Sequence, residues 1–326
     1  MNLENQLSPT ITSEVALPLE IHSGKHVLFS LMDWNYFVQW HDVITIPPVL
    51  AGYIKYLGIY IYRDVDKVEF DKYIQLREEE LRGKGIYFIT VSQPLLENFL
   101  QKLSLDFAHS LRVNYLRCAR FLFAPNVCEK LKNLGYEFAG KYVYILDADH
   151  IVIRDLSSEL DNIAKNRTPS VLLGWNSGFY NRSSYLSKLS GSEFRNLENT
   201  GIEYFHGKPY ICIKAGFFAF IPFNNESQLF LRMVTEYSLG GPGSLKMRMF
   251  NFYYGDQLAL HLAADDLYKY FSRETTDRII HFIDLFKSNL CNLSVRGKPC
   301  IYMPKGSTAD QVISEFKSTQ SSNIFD

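Results

Sequence analysis

Tyr142-Val143-Tyr144-Ile145-Leu146-Asp147-Ala148-Asp149 is the stretch that most narrows the folds open to this chain. Its apolar run reads as a buried central strand, which stops on two carboxylates one residue apart. Strand side chains alternate faces, so both carboxylates can share one side once the strand ends. Open α/β sheets take their ligands at the carboxyl ends of strands. Two hard oxygen donors placed there suit a divalent cation that keeps room for a phosphate. A metal-assisted reaction on a phosphorylated substrate is therefore the first expectation.

The rest of the chain supplies a matching sheet. His26–Leu31, Gly58–Tyr62 and Ile86–Val91 are short β-rich runs, and Val65–Leu81 between them reads as a helix with the charged face Arg77-Glu78-Glu79-Glu80. Strand alternating with helix argues for a parallel sheet with crossover helices. Further helices are expected over Pro94–Leu103 and over Leu111–Phe123, where Leu111, Tyr115, Cys118 and Leu122 form one apolar stripe. A helix is expected near Leu156, strands over Ser170–Gly174, Tyr210–Ile213 and Phe217–Ile221, and helices over Ser227–Tyr237 and Asp256–Asp266. The polar segment 176–207 reads as a loop or lid beside the site. The expected organisation is a polar lead-in over 1–24, one continuous domain over 25–316, and a mobile tail over 317–326.

The 326 residues are 47% hydrophobic, enough for a sizeable core. A formal net charge of -1 gives no electrostatic footprint for nucleic acid or an anionic membrane. The five cysteines show no metal-binding spacing and read as reduced intracellular thiols. No apolar run approaches the roughly 20 residues that span a bilayer, and the first residues lack the pattern of a secretion signal. The expected setting is the cytoplasm.

Six islands carry more specific chemistry. Phe29–Tyr36 ends a strand on Asp33, with Tyr36 close behind; an Asp there can accept from a base N–H or a ribose hydroxyl, and a ring can stack. Asp33 serves equally well as a helix N-cap. Tyr115–Phe121 carries Arg117 and Arg120 shortly before Pro125; a guanidinium near two aspartates would keep them ionised and position a diphosphate. Position 120 lies opposite the apolar stripe, so a solvent-facing arginine is the plain alternative. Asp147-Ala148-Asp149 continues into Ile151-Val152-Ile153-Arg154-Asp155-Leu156. Ile213–Phe220 contains Gly216, which permits a close backbone approach. Tyr254-Gly255-Asp256-Gln257 opens a helix, where Asp256 could also be an ordinary N-cap. Asn292–Pro299 ends in Lys298-Pro299, and a second basic residue, Lys305, follows Ile301-Tyr302-Met303.

Taken in order, these islands resemble the metal-dependent glycosyltransferases of the GT-A fold, in particular the family 8 group that includes glycogenin and bacterial lipooligosaccharide galactosyltransferases. The resemblance runs over roughly residues 26 to 306. It implies an α/β, Rossmann-like, mostly parallel sheet flanked by helices in a single domain. It implies Mn²⁺ or Mg²⁺ on Asp147 and Asp149, with a UDP-sugar as donor and its hexose transferred with retention. Asp33 and Tyr36 would hold the base and ribose, with Arg120, a better match than Arg117, facing the donor and the carboxylates. Gly216 would approach the sugar, with Lys214 standing where the family has an amide. Asp256 and Gln257 would orient the transferred sugar near its anomeric carbon. Asn292 stands where the family has a histidine metal ligand, and His281 is the alternative; Lys298 and Lys305 compete for the diphosphate.

The acceptor, whether glycan, lipid-linked saccharide, protein or small molecule, is not legible in the residues. A haloacid dehalogenase-type phosphatase shares the Asp-x-Asp triplet but places it early in the chain and follows it differently. A non-catalytic sugar-binding relative is the other alternative, on the Lys214 and Asn292 departures.

Overall fold

The computed structural model describes residues 10–14, 26–47, 53–138, 142–156, 169–175, 204–205, 208–209, 213–240, 255–285, 290–292, 300–304 and 308–320. In chain order the elements are β1 (Thr10–Glu14), β2 (His26–Asp33), α1 (Trp34–Ile44), β3 (Tyr53–Tyr60), α2 (Asp64–Gly83), β4 (Ile86–Ser92), α3 (Pro94–Leu100) and α4 (Leu105–Asn133). There follow β5 (Val143–Leu146), β6 (Ile151–Val152), β7 (Val171–Trp175), the small hairpin β8 (Tyr204–Phe205) and β9 (Lys208–Pro209), and β10 (Ile213–Phe220). The chain continues through α5 (Asn225–Thr235) with a π turn over Glu236–Gly240, α6 (Gly255–Tyr270), α7 (Arg273–Ile279), β11 (Ile280–Asp284), β12 (Cys291–Asn292), β13 (Ile301–Tyr302) and α8 (Ala309–Gln320).

An eight-stranded sheet, ordered β1-β4-β3-β2-β5-β10-β7-β11, organises these elements. The β4-β3-β2-β5 block is parallel, as is the β7-β11 pair. Strand β10 runs antiparallel between β5 and β7, and β1 runs antiparallel on the outer edge. The α/β class read from alternating strands and helices is the observed one.

Alternation along the central strands feeds two cores. Val27, Phe29, Ile54, Tyr56, Val143 and Ile145 pack with α4 and α6, while Met32, Leu57, Ile59, Ile86 and Phe88 pack with α1 and α2. Helix α1 starts where it does because the Asp33 carboxylate accepts the Tyr36 N–H at 2.7 Å. Asn224 caps α5 and Ser272 caps α7 in the same way.

Several elements differ from the sequence reading. Strand β3 begins at Tyr53 and runs through Lys55, which is only 5% exposed. Its ammonium donates to the Ile44 carbonyl at 2.8 Å, and burial lowers its pKa to about 8. A lysine inside a strand interrupts the apolar pattern, and only tertiary packing supplies its acceptor. Helix α4 continues past Pro125 to Asn133; a proline removes one helix donor, and packing on both sides outweighs that loss. Within the stretch read as a lead-in, Thr10–Glu14 adds an edge strand against β4. Helix α8 extends to Gln320, past the expected start of the tail. Segment 176–203, most of the expected loop, lies outside the described residues, as does most of the helix expected from Leu156. Among the described residues, no helix is long and apolar enough to cross a membrane.

Candidate functional site

Three segments converge at the carboxyl end of β5. Strand β5 delivers Asp147 and Asp149, α4 delivers Arg120, and the first turn of α6 delivers Asp256. The Arg120 guanidinium bridges the acids: Nη1 donates to Asp147 Oδ1 at 2.5 Å and Nη2 to Asp256 Oδ2 at 2.8 Å. The other Asp256 oxygen accepts the Gln257 N–H at 2.9 Å. Arg120 is 4% exposed and Asp256 5%, so the arginine is buried, not solvent-facing as the helical wheel allowed. Helix α4 is covered on nearly every side, which removes the polar face the wheel assumes.

The two carboxylates of the triplet differ electrostatically. Burial pushes the Asp147 carboxyl up, but Arg120, with His150 and Arg117, outweighs it and holds the pKa at about 2. Asp147 nevertheless keeps 47% of its side chain exposed, so this pairing is partly screened. At Asp149, burial and the neighbouring Asp147 charge leave the pKa raised. Burial, with the nearby charges of Asp149 and Asp147, pushes the Tyr36 phenol up as well.

These groups line a cavity of about 250 Å³. Its walls are Leu31, Met32, Asp33 and Tyr36 from β2 and α1, Val113, Leu116, Arg117 and Arg120 from α4, and the triplet itself. Asp33 therefore does two things: it caps α1 and it borders the cavity. Asp256, Gln257 and Gly216 are not among the described residues of the wall, and Asp256 is linked to it through Arg120. Gly216 makes its close approach to protein: a Cβ there would lie 2.6 Å from Asp147 Oδ2 and 2.9 Å from His150 Cε1. Gly216→Ala is expected to displace the Asp147 carboxylate from Arg120 and destabilise the fold by about 1–3 kcal/mol, read as a lowered denaturant midpoint. An unchanged midpoint would refute the crowding.

His150 is a residue the sequence reading passed over. It is 6% exposed, with Nε2 3.7 Å from Asp147 Oδ2. Its position next to the triplet was the only available signal.

The C-terminal islands are brought near but only in part. Asn292 in β12 pairs with Tyr302 of β13, which pairs with Ile151, two residues beyond Asp149. His281 sits on β11, three strands from β5, or roughly 14 Å at ordinary strand spacing, and does not join the acids. Lys298 and Lys305 lie outside the described residues.

The donor set fits a hard divalent cation. Asp147 and Asp149 face one cavity, and the mutual repulsion that helps raise Asp149 is what a cation would relieve. Among the described residues no group of three or more His, Cys, Asp or Glu is gathered to hold a metal. One or two carboxylates completed by substrate phosphates and water are the usual Mg²⁺ arrangement.

No family model matches this chain, and no curated protein matches it. Two solved structures similar to it are of the glycosyltransferase GlyE of Streptococcus pneumoniae TIGR4, one described as the apo form. Identities are 12% and 13% and TM-scores 0.39 and 0.40. Each match covers 93% of this chain and 52% of the GlyE chain, so this chain spans about half the length of those structures.

Proposed function

We propose that this chain is a glycosyltransferase, moving a hexose from a UDP-sugar to an acceptor hydroxyl. The observation that carries the reading is the Asp147–Arg120–Asp256 network, anchored on the buried Arg120 and Asp256, beside a cavity walled by Asp33, Tyr36 and Asp149. It fixes Asp147, held ionised by Arg120, at the strand end where nucleotide ligands sit in open α/β sheets.

Asp147 and Asp149 would hold Mn²⁺ or Mg²⁺, with Asn292 proposed as a further ligand. When bound, such a cation supplies positive charge to the leaving diphosphate, so departure needs no proton. Arg120 keeps Asp147 ionised and fixes its orientation; Asp256 in turn orients Arg120. Tyr36 and Asp33 are proposed to contact the base and ribose, and Gln257 the transferred sugar. Lys298 or Lys305 is proposed as a further diphosphate contact. The carboxylates of the described cavity wall are Asp33, a helix cap, and the two acids of the triplet. None is spare as a nucleophile, which favours same-face attack with retention over a covalent intermediate.

Release of UDP from a panel of UDP-sugars with Mn²⁺ tests this reading. Asp149→Ala is expected to lower that release by roughly a hundredfold or more, in line with removing a principal charge-stabilising group. Phosphate freed from simple phosphomonoesters would favour a phosphatase instead. Sugar binding without turnover would favour a binding module.

A further inference from the structure

Helix α4 presents one face to the cavity, through Val113, Leu116, Arg117 and Arg120, spaced three and four residues apart. The two arginines on that face are not equivalent. Arg120 is buried, with both Nη groups committed to Asp147 and Asp256. Its remaining Nε is shut inside the protein, with no acceptor among the described residues. Arg117 stands one turn earlier, half-buried on the cavity wall. Its charge acts on both the Tyr36 phenol and the Asp147 carboxylate, which line the same space.

A diphosphate entering here meets three carboxylates, from Asp33, Asp147 and Asp149, and two guanidiniums. Arg120 cannot turn to the ligand without leaving Asp256 uncompensated in the interior. Arg117 carries the same planar fork of donors and is the less buried of the two arginines on the wall.

Resting on the glycosyltransferase reading above, we propose that Arg117 is the guanidinium that grips the donor diphosphate. Arg120 is then a positioning residue that acts through the two aspartates. The division of labour follows from burial: the deeper arginine balances fixed internal charge, and the shallower one meets charge that comes and goes.

The experiment titrates the full chain, in Mg²⁺ buffer, with pyrophosphate, UDP and uridine, using wild type, Arg117→Gln and Arg117→Lys. The glutamine variant is expected to bind pyrophosphate and UDP roughly tenfold to a hundredfold more weakly. Its uridine affinity is expected to be unchanged, which also shows that the cavity remains folded. The lysine variant is expected to recover part of the loss, since it restores the charge without the fork. The proposal is overturned if Arg117→Gln binds pyrophosphate as wild type does, if it loses uridine and UDP equally, or if wild type binds no pyrophosphate. Arg117-dependent pyrophosphate binding without any affinity for uridine or UDP would leave the anion clamp standing and remove the UDP-sugar reading.

Discussion

Arg120→Met is expected to cost about 3–5 kcal/mol of stability, the range seen when one partner of a buried ion pair is removed. The reason lies in Asp256, which is 5% exposed and, among the described residues, keeps the Gln257 N–H alone once Nη2 is gone. An unpaired carboxylate at that depth must stay desolvated or take a proton, and both are costly. For a chain of this size the melting temperature should fall by about 4–7 °C. Turnover should fall with it, because Asp147 loses the guanidinium that holds it ionised and in place. A double-mutant cycle isolates the cause. Adding Asp256→Asn to Arg120→Met replaces the stranded charge with an amide, and part of the loss should return. Strict additivity of the two substitutions, or an unchanged melting temperature for Arg120→Met alone, would remove Arg120 from the centre of the site.

The second large effect concerns acid stability and His261. This histidine is 1% exposed in α6, and burial depresses its pKa to about 4 from an ordinary 6.5. Between those values the unfolded chain binds a proton that the folded chain refuses, so stability falls as pH falls from 6.5 toward 4. The loss attributable to this group is roughly 2–3 kcal/mol by pH 4.5 and levels off at about 3 kcal/mol below pH 4. At pH 7 about a quarter of the unfolded rings carry the proton, so the slope there is small, and it vanishes above about pH 8. His261→Leu fills a similar volume without a titrating group. The stability difference between variant and wild type should shift in favour of the variant by about that amount between pH 7 and pH 4.5, read from denaturant midpoints. Parallel pH curves for the two proteins would show that His261 is not the group responsible.

Much of the architecture was legible in local pattern. The β2, β4 and α2 segments carry their own periodicity, and their observed positions match it within a few residues. The Asp147-Ala148-Asp149 triplet announced its place at a strand end because its apolar run and its polar stop are adjacent in the chain. Other features depended on partners distant in sequence. The antiparallel insertion of β10 between β5 and β7 is set by pairing of Phe217–Phe220 with Val143–Leu146, which no local window contains. Helix α4 was expected to end at Phe123, before Pro125, with a water-facing Arg120 as the alternative to one facing the carboxylates; packing by β2, β5, α5 and α6 carries the helix on and buries Arg120.

What the residues determined by themselves was therefore the class of fold and the edge where its chemistry gathers, since strand and helix periods and the position of a polar stop are short-range properties. What tertiary structure alone decided was which charge faces which. Arg120 and Asp256 are 136 residues apart and meet at 2.8 Å, Gly216 makes room for Asp147, and Lys55 finds a carbonyl inside the core. Each of those outcomes is a matter of desolvation and close approach, and neither quantity exists until the chain has closed on itself.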